Sequence, residues 1–247
     1  MPLAAGTGPA TLAGTLVVQN AEALSGVVML ELACPGAPAF FAGAPSVIDL
    51  KTGGYTGGSP EDYLLAAAST QLAHFYGVPM AMGTMATGAK EPDWQAAVDD
   101  SLSTFASVMT CADMMNGCGL LSGSKVLSYP HMVMESEIYG IVQKMAGGVV
   151  VDDESLALDA IKRVGPNGTY LAEKHTRRHL KEIWRPTVWD RTPYDVWLQG
   201  GRHGALERAT EIADGILDTY EPVALPGDVR AELSAIVARA DRELAAV

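Results

Sequence analysis

The sequence predicts an α/β chain in which parallel strands alternate with helices, followed by an all-helical extension. Three observations carry that prediction. Apolar runs alternate with Gly-rich connections and helical stretches. The strand-like runs are apolar throughout rather than alternating, as expected when both sheet faces are covered. Beyond Gly147 the strand-like runs stop, and Arg, Lys and Glu become common. With 247 residues, 48% of them hydrophobic and 19% charged, the chain has material for one large or two small folded domains.

Taken in order, residues 3–7 form a short apolar start, closed by the turn at Gly6, Thr7, Gly8 and Pro9. A helix follows over about 10–33. PAFFAG (38–43) reads as a buried strand, and 44–58 as a Gly-rich loop. Ser59 and Pro60 make a helix start, with Ser as N-cap and Pro at the first helical position. That helix reaches Tyr76 and ends at Gly77. The unit recurs as strand 78–84, loop 85–92 and helix 93–110, then as strand 114–121, loop 122–129 and helix 130–145. Four such units in succession imply parallel strands with right-handed crossovers. Helices are expected over 156–164, 169–182, 194–198, 205–220 and 226–246. The predicted organisation is therefore 1–147 for the βα units and 148–247 for the helical extension.

Charge narrows the ligand class. The net charge is −12, and residues 1–150 hold four Lys and no Arg against twelve Asp and Glu. Phosphate and nucleic-acid sites need Arg or clustered Lys, so a nucleic-acid partner is not expected, and a neutral or cationic ligand fits better. Neither GxGxxG nor GxxxxGK[ST] occurs. Four βα units fit either half of an eightfold barrel or a small open sheet. In a barrel, the Gly-, Ser- and Thr-rich loops after the strands would share the ligand-binding C-terminal face. The longest apolar stretches are interrupted by Gly, Pro, Glu or Gln, so no membrane span is expected, and no secretory signal is recognised at the N-terminus. A cytoplasmic location is the default. Cys34, Cys111 and Cys118 lack paired spacing and read as reduced, buried small hydrophobes. His175 and His179 stand at a metal-compatible i, i+4 spacing, but no third ligand is evident in the sequence, and no metal site is assigned. His74 and His203 read as structural or exposed.

Four segments resemble signatures of the trimethylamine methyltransferase family of corrinoid-dependent enzymes. They are GPATLAGTLVVQNAEALSGVV, GAPSVIDLKTGGYTGGSPE, MESEIYG and VDDESLALDAIKRVGPNGTYLAEKHTRRHLKEIW. The resemblance extends over essentially the whole chain, with the motifs in family order. It implies a (β/α)8 TIM barrel of which this chain is the C-terminal half, four βα units followed by a helical C-terminal appendage. It also implies transfer of a methyl group from a methylated amine to the Co(I) of a cobalamin-type corrinoid carried by a cognate partner protein. Family members are about twice as long, so a homo-oligomer, or a partner supplying the other half-barrel, is expected. Some members carry pyrrolysine in a barrel loop; the corresponding MATGAK segment (85–90) holds standard residues alone.

Chemistry then selects candidates. A quaternary ammonium releases a neutral amine and needs no general acid, but its methyl must lie in line with cobalt and away from water. Trimethylamine-like donors, or quaternary amines such as glycine betaine, carnitine or proline betaine, are the substrates implied. Aromatic faces and carboxylates bind such groups. Phe40, Phe41, Asp49, Tyr55, Glu91, Asp93, Trp94, Tyr129, Glu135 and Glu137 lie in or next to the loops after the strands. Of these, Phe41, Asp49, Tyr55, Glu91 and Glu135 are the substrate-binding candidates. Asn116 sits where the family tends to place a polar or aromatic residue, often histidine in betaine-type members, and would orient the substrate. His131 is a second catalytic candidate. Gly6, Thr7, Gly83, Thr84 and Gly88, with Gly8, are small residues that would let a flat corrinoid approach the mouth. Two other readings stand beside the enzyme: a non-catalytic half-barrel that needs a partner or the missing half, as an incomplete gene would leave, and a generic small-molecule binder.

Overall fold

The computed structural model describes residues 1–244. The elements run β1 (Leu3–Ala4), α1 (Leu12–Ala33), β2 (Phe41–Gly43), β3 (Ser46–Val47), α2 (Pro60–Tyr76), β4 (Met80–Gly83), α3 (Trp94–Met109) and β5 (Met114–Asn116). A small hairpin of β6 (Leu120–Leu121) and β7 (Val126–Leu127) precedes α4 (Tyr129–Ala146). Helices α5 (Asp153–Leu156), α6 (Leu158–Val164), α7 (Lys174–His179), α8 (Tyr194–Gln199), α9 (Ala205–Thr219) and α10 (Gly227–Leu244) follow. The last two residues of the helix expected over 226–246 lie outside the described residues.

The protein is mixed α/β with parallel sheets. β2, β4 and β5 form one parallel sheet, in register through Phe41–Met80 and Ala81–Met114. The expected run of four adjacent strands is broken at its start. β1 pairs instead with β3, which lies inside the segment expected to be loop. On β2, the Gln19 side chain of α1 donates to the Ala42 carbonyl at 3.1 Å. No closed barrel forms among the described residues.

The last predicted strand also divides. Gly117 takes φ +117°, and a Cβ there would come within 2.1 Å of the Thr84 carbonyl oxygen. The chain therefore leaves the sheet after Asn116 and returns as the hairpin. In the extension, the helix expected over 156–164 is broken by Ala157 at φ +52°. The helix expected over 169–182 shrinks to α7 and a 3₁₀ turn over Leu180–Glu182.

Side-chain alternation along the strands separates two faces. Phe41, Met80 and Met82 point to the helix side and form an apolar core with Ala73 of α2. The opposite face leaves Ala42, Gly83, Met114 and Asn116 exposed, so the expectation of cover on both faces is not met here.

Two helices invert the usual amphipathic pattern. α1 buries Thr15 and Gln19 while Val17, Val28, Met29 and Leu32 stand exposed. Contrary to the sequence expectation, α1 is long and apolar enough to cross a membrane by length and composition. Here its polar residues anchor it to the sheet layer: Gln19 on β2, and Asn20 donating to the Tyr76 hydroxyl of α2 at 3.0 Å. α3 buries Asp99, Asp100, Thr104 and Ser107 and exposes Leu102, Phe105 and Met109.

The chain divides into two compact units, Met1–Ala213 and the segment from Asp214 onward. About the first two thirds of the helical extension thus belongs to the same unit as the sheets. Glu137 of α4 explains part of this attachment, accepting from the backbone N–H groups of Thr187, Val188 and Trp189 and from the Thr187 hydroxyl. In the second unit α10 buries no side chain.

Candidate functional site

A cavity of about 360 Å³ opens at the C-terminal ends of β2, β4 and β5. Each strand contributes the residues at or just past its end: Ala44 and Pro45, then Gly83 and Thr84, then Asn116 and Gly117. Parallel strands place these ends on one side, which is why three distant segments meet there. Tyr55 comes from the loop after β3, Asp62 and Tyr63 from the first turn of α2, and Asp99, Asp100 and Ser103 from α3.

The acids of this wall are placed by local rules. Asp62 completes a capping box with Ser59, each side chain meeting the other's backbone N–H. Burial pushes its carboxyl up, against the lowering influence of the Ser46 and Ser59 hydroxyls. Asp99 accepts from the Thr87 hydroxyl at 2.6 Å and from the Tyr63 hydroxyl at 3.5 Å. Burial, followed by the charges of Asp99 and Asp62, holds the Tyr63 phenol far above its usual range. Burial also raises Tyr55, with Asp62 adding to it. No Lys, Arg or His is among the lining residues described. The wall therefore combines acids with phenol rings, and Met1, whose α-ammonium pairs with Glu22 at 2.7 Å, also borders it.

Behind Asp100 lies a second, fully buried group. His131 Nε2 stands 3.0 Å from an Asp100 oxygen and 3.4 Å from a Glu135 oxygen, with all three side chains at most 2% exposed. Glu135 also accepts the Gly119 N–H. Burial raises the Glu135 carboxyl to about 8, with the Gly119 N–H pulling down and Asp100 pushing up. Asp100 is raised by burial, with His131 opposing.

The family described as trimethylamine methyltransferase matches residues 2–245. The chain belongs to that family. It is 36% identical over 244 residues to a glycine betaine methyltransferase of Desulfitobacterium hafniense, covering 98% of this chain and 51% of that protein. It is 33% identical over 242 residues to trimethylamine methyltransferase MttB of Methanosarcina barkeri, covering 98% and 49%. A third relative, MttB2 of Methanosarcina mazei, is 34% identical over 242 residues, with the same coverage. This family member thus spans about half the length of the curated relatives it matches.

Of the residues singled out in the sequence, Tyr55, Gly83, Thr84 and Asn116 line the cavity. Glu135 and His131 stand one layer behind it, through Asp100. Phe41 is not at the cavity: it is fully buried in the apolar core and stacks on Tyr76, 6.1 Å between centroids. Its neighbour Phe40 is exposed and borders a separate groove with Ala42 and Asn116. Asp49 is occupied within its own turn, accepting from the N–H groups of Lys51 and Thr52. Glu91 is exposed, as are Trp94 and Tyr129. Asp93 caps α3 by accepting the Ala96 N–H, and Glu137 holds the extension.

The small residues divide similarly. Gly88 is explained by loop packing, since a Cβ there would lie 2.4 Å from the Thr56 carbonyl oxygen. The Thr7 hydroxyl accepts the Leu3 N–H, and Gly6 packs on Ile48. Neither Gly6, Thr7, Gly8 nor Gly88 lines the cavity. The three cysteines are exposed rather than buried, because each sits where an element ends or turns. His74 pairs with Asp113 and His203 with Glu211, both exposed.

Asp62, Tyr63, Asp99 and Asp100 were not singled out in the sequence. A signal for the α3 pair exists in WQAAVDDSLSTFASVM. Positions 96, 99, 100, 103, 104 and 107 follow helical spacing yet hold Ala, Asp, Ser and Thr. A polar stripe at core spacing marks a helix that buries polar groups.

Proposed function

We propose that the chain is the C-terminal half of a (β/α)8 barrel that binds a methylated amine and presents its methyl group to the Co(I) of a corrinoid on a partner protein. The supporting observation is the cavity at the strand ends, with Asp62 and Asp99 beside Tyr55 and Tyr63 and no cationic side chain among its described lining. Carboxylates and ring faces together hold a quaternary or protonated ammonium, and Asn116 at the end of β5 orients it. The corrinoid supplies the nucleophilic metal. This chain's part is to bind the ammonium, fix the direction of its methyl group and exclude water. Gly83 and Thr84 are the proposed corrinoid-facing residues that border the cavity, and their small side chains leave the mouth open.

The test is methyl transfer to cob(I)alamin from a panel containing trimethylamine, glycine betaine, carnitine and tetramethylammonium, followed by the loss of the Co(I) absorption. Transfer that depends on Asp99 and Tyr55 supports the reading. Transfer unaffected by both substitutions contradicts the assigned cage.

A second reading has its own support. The sheet face opposite the apolar core is exposed, and relatives of the chain extend over about twice its length. We infer that this face is completed by another half-barrel, on a partner chain or in a longer protein. In that reading, the isolated chain binds the ammonium but transfers no methyl group. Adding a separately produced N-terminal half from a relative distinguishes the two readings, because it restores turnover only in the second.

A further inference from the structure

Asp100, His131 and Glu135 form a cluster that the reading above leaves unused. Asp100 and Glu135 are fully buried and His131 is 2% exposed, on two different helices, α3 and α4. Their ligand-type atoms all lie within 4.8 Å of one another. Although His131 Nε2 is 3.0 Å and 3.4 Å from the two carboxylates, neither approach has hydrogen-bonding geometry. Both Asp100 oxygens, both His131 nitrogens and Glu135 Oε1 are without a hydrogen-bond partner in the structure. Unpartnered buried carboxylates are costly, so something must compensate them.

We propose that Asp100, His131 and Glu135 bind one divalent first-row metal ion of the zinc class. Ligands about 2.1 Å from a common ion stand roughly 3.0 Å apart when cis in an octahedron and roughly 3.4 Å apart in a tetrahedron. The observed separations of 3.0 Å and 3.4 Å span that range. One imidazole and two carboxylates suit zinc, manganese or iron better than a soft ion. Two carboxylates balance a dication. The Gly119 N–H, bonded to the other Glu135 oxygen, orients that ligand from outside the site. Because Asp100 also lines the cavity, the ion would place a Lewis acid against the cavity wall.

The other such cluster among the described residues, Glu154, His175 and His179, supplies the third ligand that the sequence did not reveal. It is a weaker site. Arg178 holds its carboxylate at 2.9 Å, and His175 Nε2 is 2.8 Å from the Glu154 carbonyl oxygen.

The proposal does not rest on methyl transfer, and its test does not use activity. The chain is stripped with chelator, given Zn²⁺ alone, passed through a desalting column and analysed for bound metal. Co²⁺ loading supplies visible d–d bands as a second readout. One equivalent should remain on the wild type and on the His175→Ala/His179→Ala double variant, whose substitutions are remote from α3 and α4 contacts. Glu135→Gln should lose the cobalt bands and bind Zn²⁺ more than about a hundredfold more weakly, beyond the roughly 10–100-fold cost of an outer-sphere change. Absence of retained metal on the wild type, or its loss in the double variant, overturns the proposal. The double variant keeps the test decisive should Glu135→Gln fail to fold.

Discussion

Two regions of the first unit are equally buried and built from opposite chemistry. Phe41, Ala73, Met80 and Met82 pack between the sheet and α2 with no exposure at all. Asp100, His131 and Glu135 are buried as completely between α3 and α4, together with Thr104, and the polar stripe of α3 continues through Ser107. Apolar burial stabilises a fold at roughly 25 cal/mol per Å². Burying carboxylates costs stability unless partners compensate. The first region therefore accounts for the fold, and the second is what the fold supports. The cavity lies against the second region, through Asp100.

The largest break in this contrast should come from Phe41→Ala. Removing that ring from a closed apolar cluster should cost about 3–5 kcal/mol in urea unfolding. It should leave ammonium binding by the folded fraction unchanged. A loss of binding without a loss of stability would return Phe41 to the site.

Glu137→Gln should cost about 2 kcal/mol, since hydrogen bonds to a charged acceptor are worth about 1.5–3 kcal/mol each and Gln keeps only part of the acceptor set. Burial pushes this carboxyl up, but the N–H of Trp189, the hydroxyl and N–H of Thr187 and the N–H of Val188 outweigh it, so it sits below 4.5. A carboxylate lowered in the folded state contributes stability that is present above its unfolded value and lost as pH falls through its folded one. Melting curves should therefore show the wild type losing its advantage over Glu137→Gln as pH drops below about 4.5. A difference that persists unchanged into more acidic solution would contradict this anchor.

Tyr55→Leu addresses the cavity directly. It should weaken tetramethylammonium binding by about 1 kcal/mol, the scale of a cation–π contact, and leave the melting temperature unchanged. Calorimetric titration is the check; unaltered affinity would remove Tyr55 from the cage. The smallest effect is expected from Asp100→Asn in chelator-treated protein. Neutralising one buried carboxylate should raise stability by up to about 1 kcal/mol, and a clear loss would show that the charge is already compensated within the protein.

Much of this was legible in the residues. Ser59, Pro60 and Gly77 marked both ends of α2, and the caps are present in the structure. The acidic, arginine-free first half pointed to a neutral or cationic guest, Tyr55 was placed by its loop, and Asn116 by the family resemblance of its strand segment. Failures have local causes. PAFFAG holds two phenylalanines on opposite faces, and alternation alone does not say which face meets the helices; the helix side took Phe41. Asp49, Asp93 and Glu137 are acids next to strand ends that serve backbone N–H groups, a use that composition cannot distinguish from ligand binding. Asp99 and Asp100 are poorly legible in the sequence because the buried face of a helix is normally marked by its apolar positions, and on α3 Leu102, Phe105 and Met109 face outward.

The most direct test of the central claim compares choline with 3,3-dimethyl-1-butanol, its uncharged equivalent of the same shape, by calorimetric titration of the whole chain. Selection of a cation by Asp62, Asp99 and the two tyrosines predicts binding of choline at least tenfold tighter, about 1.4 kcal/mol. That preference should vanish in Asp99→Asn combined with Tyr55→Leu. Equal affinity for the two compounds would show that the cavity recognises shape and not charge, and the assignment to methylated amines would lose its physical basis.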